Sequence, residues 1–216
     1  MIIINDSTAR NSALQAGQVH MVNRVSPKVA KLLDRSPNVK VRNTSGRAHY
    51  EFVMLVDTPP FDNNHLRLAL KYAINRQEMV DKILDGYGAV GNDTPINAAY
   101  SLFDATLPQR PFDLVKAAFH YQASGHDGSP IELIVAEAAF PGAADAAALW
   151  QQSCQKAGIP LVVKKVPDDG YWDDIWQKKP FCANYWSGRP VQDQMFSTAY
   201  TSSAAWNDTH FYNKEF

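Results

Sequence analysis

Long hydrophobic runs are missing from this 216-residue sequence. Its apolar stretches, such as residues 52–56, fall far short of the ~20 residues that span a bilayer. An excess of charge is missing too: 21 Lys plus Arg stand against 22 Asp plus Glu, for a formal net charge of -1. Nucleic-acid binders need clustered cations to meet phosphates, so that class of partner is excluded. Cysteine is scarce, with only Cys154 and Cys182, and no CxxC or Cys/His cluster, which argues against structural zinc. The two could pair in an oxidising compartment or sit as buried thiols; the habitual burial of free Cys favours the second. No GxxxxGK[ST], HExxH or GxSxG occurs, and the six His (20, 49, 65, 120, 126 and 210) include no i,i+4 pair. No internal repeat or low-complexity segment is present.

What is there is an ordinary globular balance, 45% hydrophobic and 20% charged. That balance excludes intrinsic disorder. A chain of this size buries roughly 70% of its unfolded surface, so its core needs no staples. At ~150 residues per domain it is one large domain, or one domain plus a piece of another. The start, Met1-Ile2-Ile3-Ile4-Asn5-Asp6, lacks the basic then longer apolar pattern of a signal peptide and reads as a strand. The protein is therefore cytoplasmic or the chain is a fragment.

Hydrophobic period and breakers set the expected elements. Strands are expected at residues 2–4, 19–25, around Val39 and Val41, and at 50–56. A helix capped by Ser7 or Thr8 runs to about Ala16, and another opens at Ser26-Pro27. Pro59-Pro60-Phe61-Asp62 reads as a breaker plus cap before a helix with Leu66, Ala69, Leu70 and Ala73 on one face. Asn75 through Glu78 reads as a capping box starting the next helix, which Gly86 ends. Residues 87–110 form a long loop, and long ordered loops are often functional. Beyond Asp113 the pattern alternates: helix to Ser124, strand 131–136, helix 142–157, strand 161–166, helix 168–177, strand 181–186. This alternation predicts an α/β sheet with parallel crossovers.

Two motif matches have plainer readings. Residues 86–91 fit G-x-G-x-x-G, but a dinucleotide site needs that motif between a strand and a helix. Here it follows a helix and enters a loop, so it reads as a helix stop and a turn. Residues 153–156 fit S-x-x-K but fall near a helix C-terminus, where a cation is favourable anyway. Glu137 follows a strand end and reads as a solvated loop carboxylate. No catalytic constellation emerges. The richest segment is Asn184-Tyr185-Trp186-Ser187-Gly188-Arg189-Pro190-Val191-Gln192-Asp193. It follows the strand that ends the alternation, and open α/β sheets bind ligands just beyond the carboxyl ends of their strands. Trp and Tyr offer stacking surface at low entropy cost, and Arg offers a planar donor fork for carboxylate or phosphate. Tyr185, Trp186, Arg189 and Asp193 are the expected ligand-binding residues; the plainer alternative is a packed aromatic beside a surface Arg189–Asp193 ion pair.

Residues 60–76, PFDNNHLRLALKYAINR, resemble the "PFDD..VRQAL.YAIDR" signature of solute-binding proteins of peptide-type ABC transporters. That family includes oligopeptide-, dipeptide- and nickel-binding proteins. Residues 9–22 resemble its "AR..AL..GEVD", while Ala157-Gly158-Ile159, Tyr171-Trp172, Trp186 to Pro190 and Trp206-Asn207 match recurring positions. Residues 59–86 are the specific part; the rest is supporting. The resemblance implies an α/β, type II periplasmic-binding-protein lobe: a mixed sheet flanked by helices, with part of its sister lobe. Residues 1–46 would be the tail of the first lobe, and 47–216 most of the second, its C-terminal return missing. It implies capture of a peptide or peptide-like solute by two-lobe closure, delivery to membrane permease subunits, no enzymatic activity and no cofactor. It further implies a periplasmic or extracytoplasmic location and a monomer when full length. Nickel binding occurs in the family, but no His cluster supports it here. One departure matters. Where peptide binders of the family place an Asp on the ligand's α-ammonium, this sequence has Arg189, and a guanidinium repels a cation. The ligand is therefore expected to carry a carboxylate or phosphate near Arg189, as opines and sugar phosphates do, or to be an atypical peptide held by Asp193. An α/β enzyme on a phosphorylated small molecule is the weaker alternative, lacking a nucleophile–base pair. A sensor or chaperone built on the same fold is another.

Overall fold

Four strands form one mixed sheet in a computed structural model that describes residues 2–4, 6–23, 25–44 and 46–215. The order is β1(His49–Met54), β4(Phe181–Trp186), β2(Ile131–Val135), β3(Leu161–Lys165). The alternation predicted beyond residue 113 is present. β2 runs parallel to β3, with Ile131 opposite Leu161, and parallel to β4, with Ile134 opposite Cys182. Parallel neighbours need crossovers; α6(Ala143–Lys156) supplies one and α7(Tyr171–Asp174) lies in the other. β1 is antiparallel to β4, with His49 opposite Trp186 and Met54 opposite Phe181. The amino end of β1 therefore meets the carboxyl end of β4.

Helix caps explain where the remaining helices begin. α1(Ser7–Gln15) is capped by Asp6, whose carboxylate accepts from the Ala9 amide at 2.7 Å, rather than by Ser7 or Thr8. α2(Pro27–Leu33) carries its proline in the first turn, as expected. α3(Asn64–Tyr72) starts one residue later than predicted, because Asn63 and not Asp62 caps it. Its side chain accepts from the His65 and Leu66 amides. α4(Arg76–Lys82) uses Asn75, which accepts from the Glu78 amide at 3.1 Å. α5(Leu114–Ser124) uses Asp113 and ends on Gly125 with φ 65°. Gly86 and Gly158, read as helix stops, have φ 80° and 75°. Left-handed backbone of this kind costs glycine nothing.

Five expectations fail. Residues 2–4, 39 and 41 carry no strand, nor do the described residues of 19–25, from which Arg24 is excluded. An apolar alternation becomes a strand only when a neighbour completes its ladder, and among the described residues none lies beside these. Ile3 and Met21 are correspondingly 80% and 85% exposed. The predicted helix at 168–177 shrinks to α7, bounded by Gly170 at φ 73° and Gln177 at φ 57°. Finally, α8(Gln192–Ala199) is a helix that the pattern does not announce; its first two residues, Gln192 and Asp193, close the segment read as ligand-lining.

The core lies on the sheet between α3, α5 and α6. Leu66, Ala69 and Leu70 of α3, Ala117 of α5, and Ala147, Trp150 and Cys154 of α6 are all buried there. Trp150 stacks edge-on against Phe181 and donates from its indole to the Leu70 carbonyl at 3.2 Å. Tyr171 brings a hydroxyl into the interior, donating to the Ala183 carbonyl at 2.6 Å. Burying polar groups is tolerable only with such partners. Cys154 and Cys182 are both free and buried; burial pushes the Cys182 thiol up to about 12. Among the described residues no helix is long and apolar enough to cross a membrane.

Candidate functional site at the carboxyl end of β4

The last residues of β4 direct successive side chains to opposite faces of the sheet. Tyr185 is half-buried, opposite Tyr50 on β1, and meets Trp172 edge-on at 5.6 Å. Trp186 is buried on the other side, against Trp176 at 5.9 Å and Trp206 at 6.1 Å. Trp172 and Trp176 also touch, so five aromatic rings wrap this strand end. Trp172 and Trp206 present open surface, 38% and 48% exposed. Such rings are rigid apolar walls for a solute.

Beyond Trp186 the chain turns through residues 187–191 into α8. Gly188 permits that turn to pass against the segment entering β1. A Cβ there would lie 2.3 Å from Arg47 Cβ and 2.9 Å from the Arg47 carbonyl carbon. Arg47 in turn lies over the Tyr100 ring and donates to the Ala99 carbonyl at 2.9 Å. The Tyr100 hydroxyl accepts from the Arg189 amide at 3.2 Å. The long loop of residues 87–110, the entry to β1 and the exit from β4 are thus tied into one rim.

Arg189 is half-buried in that rim. Its guanidinium sits 5.8 Å from the Trp186 ring and donates to the Ser187 carbonyl at 3.0 Å. A cation–π contact draws it toward that ring, and part of its donor fork is used internally. Asp193 is exposed in the first turn of α8. The sequence-selected residues therefore play unlike parts. Tyr185 and Arg189 stand at the rim, Asp193 lies outside it, and Trp186 serves chiefly as the buried floor.

What sequence reasoning missed is the polar cluster beneath the floor. Asp208 is wholly buried. It accepts from the indoles of Trp176 and Trp186 at 2.6 and 2.8 Å and from the Asn184 amide at 2.8 Å. Asn184 also donates to Glu51 at 3.0 Å, and the Tyr200 hydroxyl donates to Glu51 at 3.4 Å. Desolvation, then the Asp208 charge, holds the Glu51 carboxyl well above its ordinary range. Burial lowers His49 to about 4, so its ring is neutral beside Tyr200 at 3.1 Å. Only the uncommon pairing of Glu51 with strand neighbours, and an Asn-Asp after Trp206, hinted at this cluster.

A cavity of about 500 Å³ runs along β1 and is lined by Phe52, Phe140, Trp150, Lys71, Arg76 and Asp93 among others. None of Tyr185, Trp186, Arg189 and Asp193 borders it. Among the described strands β1 ladders with β4 alone, so this cavity is a sheet-edge groove. His49, Glu51 and Tyr200 of the polar cluster border it too, so it adjoins the rim at β4, whose exposed aromatic rings make that rim the candidate site. Among the described residues no group of three or more His, Cys, Asp and Glu side chains gathers that could hold a metal ion.

The comparisons agree with this architecture. The family described as "Bacterial extracellular solute-binding proteins, family 5 Middle" matches residues 1–208. A di/tripeptide-binding protein of Pseudomonas aeruginosa is 32% identical over 117 residues, 53% of this chain and 21% of that protein. The glutathione-binding protein GsiB of Escherichia coli K12 is 28% identical over 124 residues, 57% of this chain and 24% of its own. In three dimensions, the periplasmic binding protein DppA of Helicobacter pylori, solved with the peptide STSA, superposes with a TM-score of 0.85 at 18% identity. That match covers 98% of this chain and 42% of DppA. NikA of Staphylococcus aureus, solved with Ni(L-His)2, gives 0.80 at 19% identity, covering 97% and 45%. The chain thus spans about a fifth to a quarter of these curated relatives in aligned sequence and under half of the solved structures. On the family match, which spans nearly its whole length, the chain belongs to the bacterial extracellular solute-binding proteins, family 5.

Proposed function

We propose that this chain is the larger part of one lobe of an extracytoplasmic solute-binding protein that feeds an ABC importer. Residues 1–46 are the tail of a sister lobe and residues 47–216 the second lobe. Solute sits between the lobes, which close on it, and the closed form is recognised by the permease. The exposure of Ile3 and Met21 supports the division, since apolar side chains there need another surface to cover them.

One observation carries the reading: an aromatic wall and a guanidinium in cation–π contact with Trp186 stand together at the carboxyl end of β4, where open sheets bind ligands. Relatives whose names specify dipeptides, tripeptides and glutathione support a peptide or peptide-like solute. Arg189 favours a second reading within the same class. Its cationic fork stands at the rim and Asp193 outside it, so a solute group that is anionic, as in an opine or sugar phosphate, fits better than an ammonium.

A thermal-shift screen of the full-length protein against di- to hexapeptides, opines and sugar phosphates tests both. Ligand at a hundredfold excess over Kd adds about 2.7 kcal/mol, a plain rise in Tm. Hits confined to anionic solutes, weakened at least tenfold by Arg189→Ala, are the expected outcome. An affinity unchanged in Arg189→Ala removes Arg189 from the site. Absence of any solute response sinks the binding reading itself.

A further inference from the structure

We propose that His65 and His120 form a surface site for a square-planar divalent ion of the copper or nickel type. The two residues are 55 positions apart, and only the packing of α3 against α5 joins them. Their Nδ1 atoms stand 2.9 Å apart, with ring centroids 5.2 Å apart and ring planes tilted by 35°.

The separation selects the chemistry. Imidazole nitrogens bind first-row ions at about 2.0–2.1 Å. Two such nitrogens at a right angle about the ion are roughly 2.9 Å apart, whereas tetrahedral angles put them at roughly 3.4 Å. Square-planar nitrogen sites hold Cu(II) or Ni(II), and tetrahedral ones hold zinc. In the metal-free protein the same 2.9 Å suits a hydrogen bond between two neutral rings; on ion binding the donor ring carries its proton on Nε2 instead, which frees both Nδ1 atoms to ligate.

Both ligands stand on rigid supports, as a site requires. The Asn63 amide donates to the Ser124 carbonyl at 2.8 Å, tying the start of α3 to the end of α5. Asn63 also accepts from the His65 amide. The His120 ring is held between Tyr72, stacked at 5.6 Å with planes 2° apart, and Phe119, edge-on at 5.2 Å. His65 is exposed, so water reaches the remaining coordination positions. With two protein ligands the site captures an ion reversibly at the surface; it lies on different elements from the rim at β4 and does not rest on the solute-binding reading.

Metal-stripped full-length protein titrated with Cu(II), Ni(II) and Zn(II) by calorimetry, with EPR on the copper form, tests this. The expected result is one equivalent of Cu(II) with nitrogen hyperfine structure. Binding should weaken at least tenfold in His65→Gln and in His120→Ala and persist in His20→Ala. Zinc should bind at least tenfold more weakly than copper. No binding at hundreds of micromolar, or a stoichiometry that both substitutions leave unchanged, overturns the site. Equal affinity for zinc and copper overturns the square-planar assignment. His65→Gln changes an exposed residue, so unchanged circular dichroism separates lost ligation from lost fold.

Discussion

Replacing Asp208 by alanine removes one acceptor and strands three donors. The carboxylate is wholly buried and receives the Trp176, Trp186 and Asn184 N–H groups at 2.6–2.8 Å. A buried donor left without a partner costs about 1–3 kcal/mol. The three do not suffer equally. Asn184 keeps Glu51 at 3.0 Å, Trp176 is half-buried and can find water, and Trp186 has no such recourse. Relief of the Glu51–Asp208 repulsion offsets part of the loss. The sum comes to about 2–4 kcal/mol, most of it from Trp186. The effect should also be local. The Asp208 amide donates to the Ala199 carbonyl at 2.9 Å, so this residue pins the segment after α8, with Trp206, under the strand end. Urea unfolding followed by tryptophan fluorescence reads both effects, because Trp176, Trp186 and Trp206 are three of the five reporters. Asp208→Asn should cost about half as much, since its amide keeps one acceptor but turns a donor toward an indole. A loss below about 1 kcal/mol in Asp208→Ala would refute the argument that this carboxylate organises the floor of the site.

Two other outcomes follow from the same neighbourhood. Glu51 has its folded pKa raised, so its contribution to stability is complete below the unfolded carboxylate pKa of about 4.3 and is lost as pH rises through the folded value. Glu51→Gln should therefore gain stability relative to the parent between pH 5 and pH 8 in urea titrations; a difference that stays flat with pH contradicts the assignment. Gly188→Ala forces a methyl onto Arg47, and neither the backbone carbon at 2.9 Å nor the Cβ at 2.3 Å can yield cheaply. A loss of about 1–3 kcal/mol is expected from such overpacking, together with weaker solute binding as the rim opens; a neutral substitution would mean that the β4 exit and the β1 entry are not held together.

Much of this protein could be read from residue order alone because its causes are local. Asn75 and Asp113 announce helix starts by offering an oxygen to the amide three residues on. Gly86 and Gly158 announce stops because they accept left-handed backbone. The alternation beyond Asp113 implied parallel strands because crossovers are the short way to pair them. The signature at residues 60–76 pointed to the family, since a run that specific rarely recurs by chance. Tyr185, Trp186 and Arg189 could be singled out because they close or follow a strand, a position that sequence can count.

Tertiary structure decided what depends on partners distant in the chain. Apolar alternation at residues 39 and 41 made no strand because no neighbour among the described residues completes its ladder. Trp186, expected to face solute, became floor because Asp208, 22 residues on, offers its indole an acceptor. Glu51 looked like an ordinary strand carboxylate until Asn184 and Asp208 closed around it from 133 and 157 positions away. His65 and His120 read as scattered until α3 packed on α5. Each of these depends on which side chains desolvate one another, and desolvation is a property of the packed molecule that residue order expresses only through the fold.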